Sequence, residues 1–179
     1  SANNAYYEDA VLEFTDLQTI SASSAFSYAF RYRGCETGRK WNFFPRLTSV
    51  NGSTAFNYAF ANFRFNLSST YPQKQHIFTF PKLETIGNTT GNSIFAYSFN
   101  TVVGKWKYLW FPMLKTIGYS ATSANGWFNY AFQGTTADDY FELCMPELTS
   151  IISSSTSTTA TYSCFNYCNA LKKVWLHKL

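Results

Sequence analysis

Hydrophobic positions in this chain form a block that recurs along its whole length. The block reads apolar, Pro, any residue, Leu, any residue, Ser or Thr, and Ile or Val. Its copies begin at Phe14 (without the proline), Phe44, Phe80, Phe111 and Met145, and a sixth begins at Leu176. The aligned leucines are 30 residues apart from Leu17 to Leu47 and 36 apart from Leu47 to Leu83. A period of this length, with variable loops between fixed core elements, predicts a solenoid.

The residues just before each proline alternate in polarity. Positions one and three before it are apolar in eleven of twelve cases, with Asn42 the exception, while the positions between them are mixed. This period of two predicts a half-buried strand with its uniform row in the core. Stacked copies would align the strands in a parallel sheet that ends at the prolines. The Leu and Ile that follow should continue the core around a corner, as a turn or a second short strand.

A second block, Phe-x-Tyr followed by a small residue, lies downstream of the first in each copy. Its tyrosines are Tyr28, Tyr58, Tyr97, Tyr130 and Tyr167. The spacing of Phe26, Ala29 and Phe30 is i, i+3 and i+4, which predicts about one turn of helix on the far side of the coil. The recurring tyrosines are expected to form a ladder with packed rings and hydroxyl groups at the surface.

The segment from Phe165 to Leu179 resembles the F-x-x-C-x-x-L-x-x-I-x-I-P-x-x-[VL] unit of the BspA-like leucine-rich-repeat family. With the proline blocks, the resemblance covers about Val11 to Leu179. The chain departs from that pattern in three ways: Ala or Ser replaces the cysteine in four of five copies, aromatic residues replace many Leu and Ile, and the loops are longer. The resemblance implies a protein secreted or displayed by a host-associated microbe, with a role in adhesion to host proteins or to other cells.

The predicted fold is α/β to mostly β, a right-handed leucine-rich-repeat solenoid with a parallel sheet. It has five full repeats plus a terminal strand, and short helical turns on the side opposite the sheet. Residues 1–10 are predicted to be an N-terminal cap or linker, and residues 11–179 a single solenoid domain. Because Leu179 falls within a repeat, we expect either further repeats in a longer protein or end-to-end self-association.

Composition narrows the possible functions. Hydrophobic residues make up 46% of the chain and charged residues 13%, as in a folded domain. The longest apolar runs are too short to predict a membrane-spanning helix. The net charge of +4 comes from 14 scattered basic residues, and a nucleic-acid-binding surface would have a denser basic stripe. We therefore expect no nucleic-acid partner and no membrane span in this segment.

The outward row of the predicted sheet is the candidate binding surface. It carries large aromatic side chains, which are unusual on a surface without a partner. The tentative ligand-binding residues are Trp41, Phe43, Ile77, Thr79, Tyr108, Trp110 and Trp175. A host or microbial surface protein or a glycan is the expected partner, and a secreted or cell-surface location follows from the resemblance. The alternative is that long loops or the N-terminal cap fold over the sheet and bury these rings.

The chain shows no recognisable catalytic, metal or cofactor motif. Cys164 and Cys168 are four residues apart and could suggest a metal site or a disulfide. They align with Ala25 and Ala29, however, so packing of small side chains is the simpler interpretation, and a zinc site would need two more ligands. We therefore predict a non-catalytic binding module. The rivals are a structural stalk or spacer and an enzyme whose site is assembled from loops.

Overall fold

The computed structural model describes residues 13–31, 34–35, 40–41, 43–65, 76–87, 93–102, 107–119, 127–134, 141–153 and 167–179. These residues form a solenoid of parallel strands in which each repeat makes one coil and packs on the next, so the predicted parallel-strand solenoid is confirmed. Residues 1–10, predicted to be a cap or linker, lie outside the described residues.

The strands of the described residues are short, and strands that follow one another along the chain belong to different sheets. In chain order they are β1 (Thr19–Ile20), β2 (Gly34–Cys35), β3 (Lys40–Trp41), β4 (Ser49–Val50), β5 (Arg64–Phe65), β6 (His76–Thr79), β7 (Thr85–Ile86), β8 (Lys107–Trp110), β9 (Thr116–Tyr119), β10 (Phe141–Cys144), β11 (Ser150–Ser153) and β12 (Leu171–Trp175). Two five-stranded sheets and one two-stranded sheet result.

The front sheet has the order β12-β10-β8-β6-β3, with every pair parallel. It consists of the segments that precede the repeated blocks beginning at Phe44, Phe80, Phe111, Met145 and Leu176, where sequence alternation predicts strands. Leu109 and Leu143 are register partners and are fully buried, as the uniform apolar row requires. In β8 and β10 the phase is therefore as predicted.

The corner sheet has the order β1-β4-β7-β9-β11 and is also parallel. It consists of the Ser/Thr-Ile/Val ends of the proline blocks. Val50, Ile86 and Ile117 are fully buried in it, as are the leucines three residues before them. The corner was predicted to be either a turn or a second short strand, and the structure has the short strand.

The Phe-x-Tyr blocks form what we call the turn face, and the predicted turn of helix is wrong there. The described parts of these blocks are runs of turns without helical structure. Tyr58 and Tyr97 have positive φ values of 54° and 55°, outside the right-handed helical region. The corresponding tyrosines of the other copies share this conformation, namely Tyr28, Tyr130 and Tyr167.

Hydrogen bonding explains why this backbone replaces a helix. Every second N–H closes a turn on the residue three before it, as Ala59 does on the carbonyl of Phe56. The alternate N–H groups, such as that of Tyr58, donate instead to the next coil, here to the carbonyl of Ala96 at 3.1 Å. Both sets of amides are satisfied, and the coils are joined at the same time.

The core between the front sheet and the turn face is filled by phenylalanine rings. Phe95 stacks on Phe56 at a centroid distance of 4.9 Å and on Phe128 at 5.4 Å, along the solenoid axis. Across the core it meets Phe80 and Phe111 edge-on, at 5.7 and 5.9 Å. All these rings are buried. Stacked and edge-to-face pairs both suit the charge distribution of aromatic rings, so the core is continuous from coil to coil.

One coil departs from the predicted register. Trp41 pairs with Phe78, and Phe44 stacks on Phe80 at 5.9 Å. Two residues therefore separate Trp41 from Phe44, where a single residue separates Phe78 from Phe80. The extra residue has the effect of a β-bulge, and Phe43 turns inward against the core instead of outward.

No helix in the described part of the chain is long and apolar enough to cross a membrane.

Candidate functional site

The candidate site is the outward face of the front sheet, whose strands alternate between core and surface. In β8, Lys107 and Leu109 are buried, while Tyr108 is half-buried and Trp110 is 37% exposed. Lys107 reaches the carbonyl of Val102 at 2.5 Å, which satisfies its ammonium group in the interior. Tyr108 and Trp110 thus project from a strand that is anchored on its inner side.

Trp110 and Trp175 lie in one row of this face. Register pairs Thr79 with Trp110, Trp110 with Cys144, and Cys144 with Trp175. Two strand spacings separate the two tryptophans, which places their backbones about 9.6 Å apart. Cys144 stands between them with a much smaller side chain. The two indoles therefore lie on either side of a smaller side chain in the same row of the sheet.

Trp175 is held in place by its neighbours. Its Nε1 donates a hydrogen bond of 2.7 Å to Glu142 Oε2 on the adjacent strand. The ammonium of Lys173 lies 3.5 Å from the centroid of its ring, and the ring of His177 is nearly parallel to it at 6.5 Å. With its N–H already used and Lys173 over its ring, this indole has only the exposed remainder of its ring, 38% of the residue, left for a partner.

Burial and the nearby Glu142 both raise pKa values on this face. Burial is the main cause that raises the pKa of Tyr108 above its usual value, and the carboxylate of Glu142 adds to it. The pKa of Cys144 is raised by the same two causes in the same order. At neutral pH the phenol and the thiol are therefore both protonated, and they act as hydrogen-bonding groups and not as nucleophiles.

The structure brings together some of the predicted site residues and separates others. Tyr108, Trp110 and Trp175 lie on the outward face. Thr79 occupies the same row but is buried, and Phe43 is buried in the core against Phe30 and Phe60 at 4.8 and 5.4 Å.

The side chains of Trp41 and Ile77 lie outside the described part of the structure. Ile77 is the register partner of Tyr108, whereas Trp41 is the partner of Phe78, so the two do not share a row as predicted. The offset has the same cause as the inward turn of Phe43, the extra residue before Phe44.

Three residues of the face were not among the predicted ones. Glu142 and Lys173 share the row of Tyr108, and Cys144 shares that of Trp110. The alignment of repeats already placed them there. A search for large aromatic side chains passes over them because two are charged and one is small.

Cys168 lies on the turn face, away from the front sheet. Its thiol donates to the carbonyl of Phe128 at 3.3 Å, and burial raises its pKa to about 11 despite the opposing effect of nearby backbone hydrogen bonds. Cys164 lies outside the described residues. Among the residues that the structure describes, no group of three or more His, Cys, Asp or Glu side chains could hold a metal ion.

The chain was compared with protein-family models, with curated proteins and with solved structures, and none of the three comparisons found a match.

Proposed function

We propose that this chain is a non-catalytic binding module that takes a protein or a glycan on the outward face of its front sheet. The observation that supports the proposal is the row containing Trp110 and Trp175, which are 37% and 38% exposed. Exposed tryptophans on a rigid support are effective anchors, because they bury a large surface at little cost in conformational entropy.

The chemistry of the face favours recognition through ring surfaces. Trp175 Nε1 already donates a hydrogen bond to Glu142, so the exposed part of the indole can offer stacking and apolar contact. Tyr108 and Cys144, protonated at neutral pH, supply neutral hydrogen-bonding groups beside it. Sugar rings with apolar C–H faces and protein side chains with flat surfaces both suit this arrangement.

The finer description of the module also belongs to this proposal. The Phe-x-Tyr and Pro-x-Leu blocks resemble BspA-like leucine-rich repeats, and on that resemblance we assign the chain to a secreted or cell-surface protein with a role in adhesion. End-to-end association remains a further prediction from the repeats.

The proposal is tested by arrays of glycans and of host and microbial surface proteins, probed with the labelled wild-type chain. The double variant Trp110→Ala/Trp175→Ala should lose the binding that the wild type shows. The matched control is Met113→Ala/Ile152→Ala, which removes two apolar side chains of 40% and 38% exposure from outside this face. Equal binding by all three proteins would refute the assignment of the site.

A structural spacer is the second candidate, and the continuous core favours it. Rings stack from Phe56 through Phe95 to Phe128 without interruption, and backbone hydrogen bonds join each coil to the next. Such a rod would hold another domain at a fixed distance. Absence of any array partner, together with an unchanged maximum dimension in small-angle scattering from low to high salt, would favour the spacer.

A further inference from the structure

The tyrosines of the turn face form a continuous ladder along the solenoid. Tyr28 and Tyr58 have ring centroids 5.0 Å apart, and the next three steps, to Tyr97, Tyr130 and Tyr167, are 4.4, 4.6 and 4.5 Å. Neighbouring rings are within 10° of parallel. Each tyrosine therefore faces its own counterpart in the adjacent coil across one strand-like spacing.

The ladder is accessible from solvent. Its terminal members Tyr28 and Tyr167 are 49% and 59% exposed, and the three inner rings are partly exposed. Burial raises the pKa of Tyr97 and of Tyr130, and the neighbouring ladder tyrosines Tyr58 and Tyr167 add to it. Phenols that are adjacent and open to solvent can each lose one electron and one proton to an oxidant.

The backbone keeps the phenols in register. All five tyrosines have φ between 54° and 61°, a left-handed conformation that is costly for a residue with a side chain. The N–H of Tyr58 and that of Tyr97 each donate to the next coil, to Ala96 at 3.1 Å and to Asn129 at 2.9 Å. Because the fold imposes this spacing at each step, the pairing of rings does not depend on chance encounters of flexible side chains.

We propose that the tyrosine ladder is a site of oxidative cross-linking, at which adjacent rings are joined as dityrosine by a one-electron oxidant such as a peroxidase with hydrogen peroxide. The inference does not depend on the proposed binding function, because it concerns the opposite side of the coil from the front sheet.

The reaction balances as follows. Each of two neighbouring phenols loses one electron and one proton, which gives two tyrosyl radicals. The radicals form one carbon–carbon bond between ring carbons ortho to the hydroxyls, and the two displaced ring hydrogens return to the oxygens, so both phenols are restored. One hydrogen peroxide accepts two electrons and two protons and leaves as two water molecules. The protein loses two hydrogen atoms per cross-link.

Cross-linking would tie successive coils together covalently. A bond between Tyr58 and Tyr97 closes a long loop of the chain, and such closure restricts the unfolded state more than the folded one. The expected outcome is a module that becomes more resistant to unfolding after exposure to oxidant.

The test treats the full chain at low protein concentration with peroxidase and hydrogen peroxide. The monomer is then isolated by gel filtration, and its unfolding temperature, dityrosine fluorescence, mass and cross-linked peptides are measured. The wild type should lose mass in steps of two hydrogens, give peptides that join neighbouring ladder tyrosines, and unfold at a higher temperature than before treatment. No cross-link within the monomer, or cross-links outside the ladder alone, would overturn the proposal.

The decisive variant is Tyr58→Phe/Tyr130→Phe, which keeps ring stacking but leaves no two phenols adjacent in the ladder. Its ladder cross-links should fall to background. The matched control is Tyr28→Phe/Tyr167→Phe, which removes the same number of ladder phenols but leaves Tyr58, Tyr97 and Tyr130 adjacent, and should still form ladder cross-links. Circular dichroism of all three proteins before oxidation establishes that each is folded. Ladder-derived dityrosine at the wild-type level in the Tyr58→Phe/Tyr130→Phe protein would contradict the mechanism.

Discussion

Gly118 lies directly opposite Ile152 in the corner sheet, and a Cβ added to Gly118 would lie 2.0 Å from the carbonyl oxygen of Ile152. Its φ of +102° is also one that side chains rarely adopt. The contact involves backbone on both sides, so no side-chain rotation can relieve it. The position thus requires glycine for two separate reasons.

We expect Gly118→Ala to lower the free energy of unfolding by about 2–3 kcal/mol or more, as a combined effect of backbone strain and steric overlap. Chemical denaturation measures the loss. Thr116→Ala, two residues earlier in the same strand, is the control and should change stability by much less. Equal effects of the two substitutions would mean that neighbouring coils shift apart freely.

At position 97, a glycine variant should be more stable than an alanine variant, which is the reverse of the usual order of stability. Tyr97→Ala loses two ring-stacking contacts and keeps the strained φ of 55°. Tyr97→Gly loses the same contacts but relieves the strain, and should therefore be the more stable of the two by about 1 kcal/mol.

The control for this order is the preceding residue, Ala96, which is not among the residues with positive φ. There, alanine should be better than glycine by about 0.5–1 kcal/mol, because glycine loses more freedom on folding. Denaturation midpoints of Tyr97→Ala, Tyr97→Gly and Ala96→Gly test both signs. A more stable Tyr97→Ala would show that the left-handed backbone is not retained in solution.

The central phenylalanines should dominate stability. Phe95 is fully buried and contacts rings on four sides, so Phe95→Ala should cost about 3–5 kcal/mol. Phe26, which is only partly buried, is the matched control and should cost less. Should Phe95→Ala fail to fold, Phe95→Leu provides a milder test by thermal denaturation. A smaller loss at Phe95 than at Phe26 would contradict the described core.

Part of this fold could be predicted from the sequence because burial alone decides it. Leu109 lies between the outward residues Tyr108 and Trp110, and in a strand of period two this alternation determines which face is buried. The tyrosine ladder follows similarly, because a residue that recurs once per coil must stack on its counterpart. Placement of Trp110 and Trp175 in one surface row depends on the same reasoning.

Backbone choices that leave the burial pattern unchanged could not be predicted. The spacing of Phe26 and Phe30 places both rings on one side in a turn of helix, and it does so equally in the observed run of turns. What separates the two structures is the partner of each N–H, and the residue types do not encode that partner. The inward turn of Phe43 could not be predicted for another reason. It results from one extra residue in its coil, and that residue is recognised only when the coils are superimposed.

Cys168 makes stability depend on pH in the alkaline range. Its pKa is about 11 in the folded chain, against 9.0 for an unperturbed thiol, so the folded state favours the protonated form. The contribution of this thiol to the free energy of unfolding is fully present below pH 9. It is lost as the pH rises towards 11, because the thiol ionises at a lower pH in the unfolded chain than in the folded one. Tyr97 and Tyr130, whose pKa values are raised mainly by burial, add to the loss above pH 10.

The variant Cys168→Ala isolates the contribution of the thiol, and the aligned Ala131 indicates that the position accepts alanine. The stability difference between wild type and Cys168→Ala should shift in favour of the variant between pH 9 and pH 11. Urea denaturation at pH 7, 9, 10 and 11 measures it, and a pH-independent difference would show that the thiol is not shielded.

The hydrogen bonds of the turn face also give the solenoid an electrical polarity. Tyr28 N–H bonds to the carbonyl of Asn57, whose peptide group carries the N–H of Tyr58, and that N–H in turn bonds to Ala96. These peptide groups form a continuous hydrogen-bonded chain in which all the dipoles point the same way, as the hydrogen-bonded peptide groups of an α-helix do.

Similar hydrogen-bonded chains run through the phenylalanines on either side, from Phe26 to Phe56 and from Phe30 to Phe60. The corner sheet runs in the opposite sense, with Ser49 donating back to Gln18 and Thr85 back to Thr48. The turn face therefore carries a dipole of the helical type, positive toward the later coils, although the residues described there contain no helix. The guanidinium of Arg31, 5.4 Å from the rings of both Tyr28 and Tyr58, lies near its negative end, where a cation is electrostatically favoured.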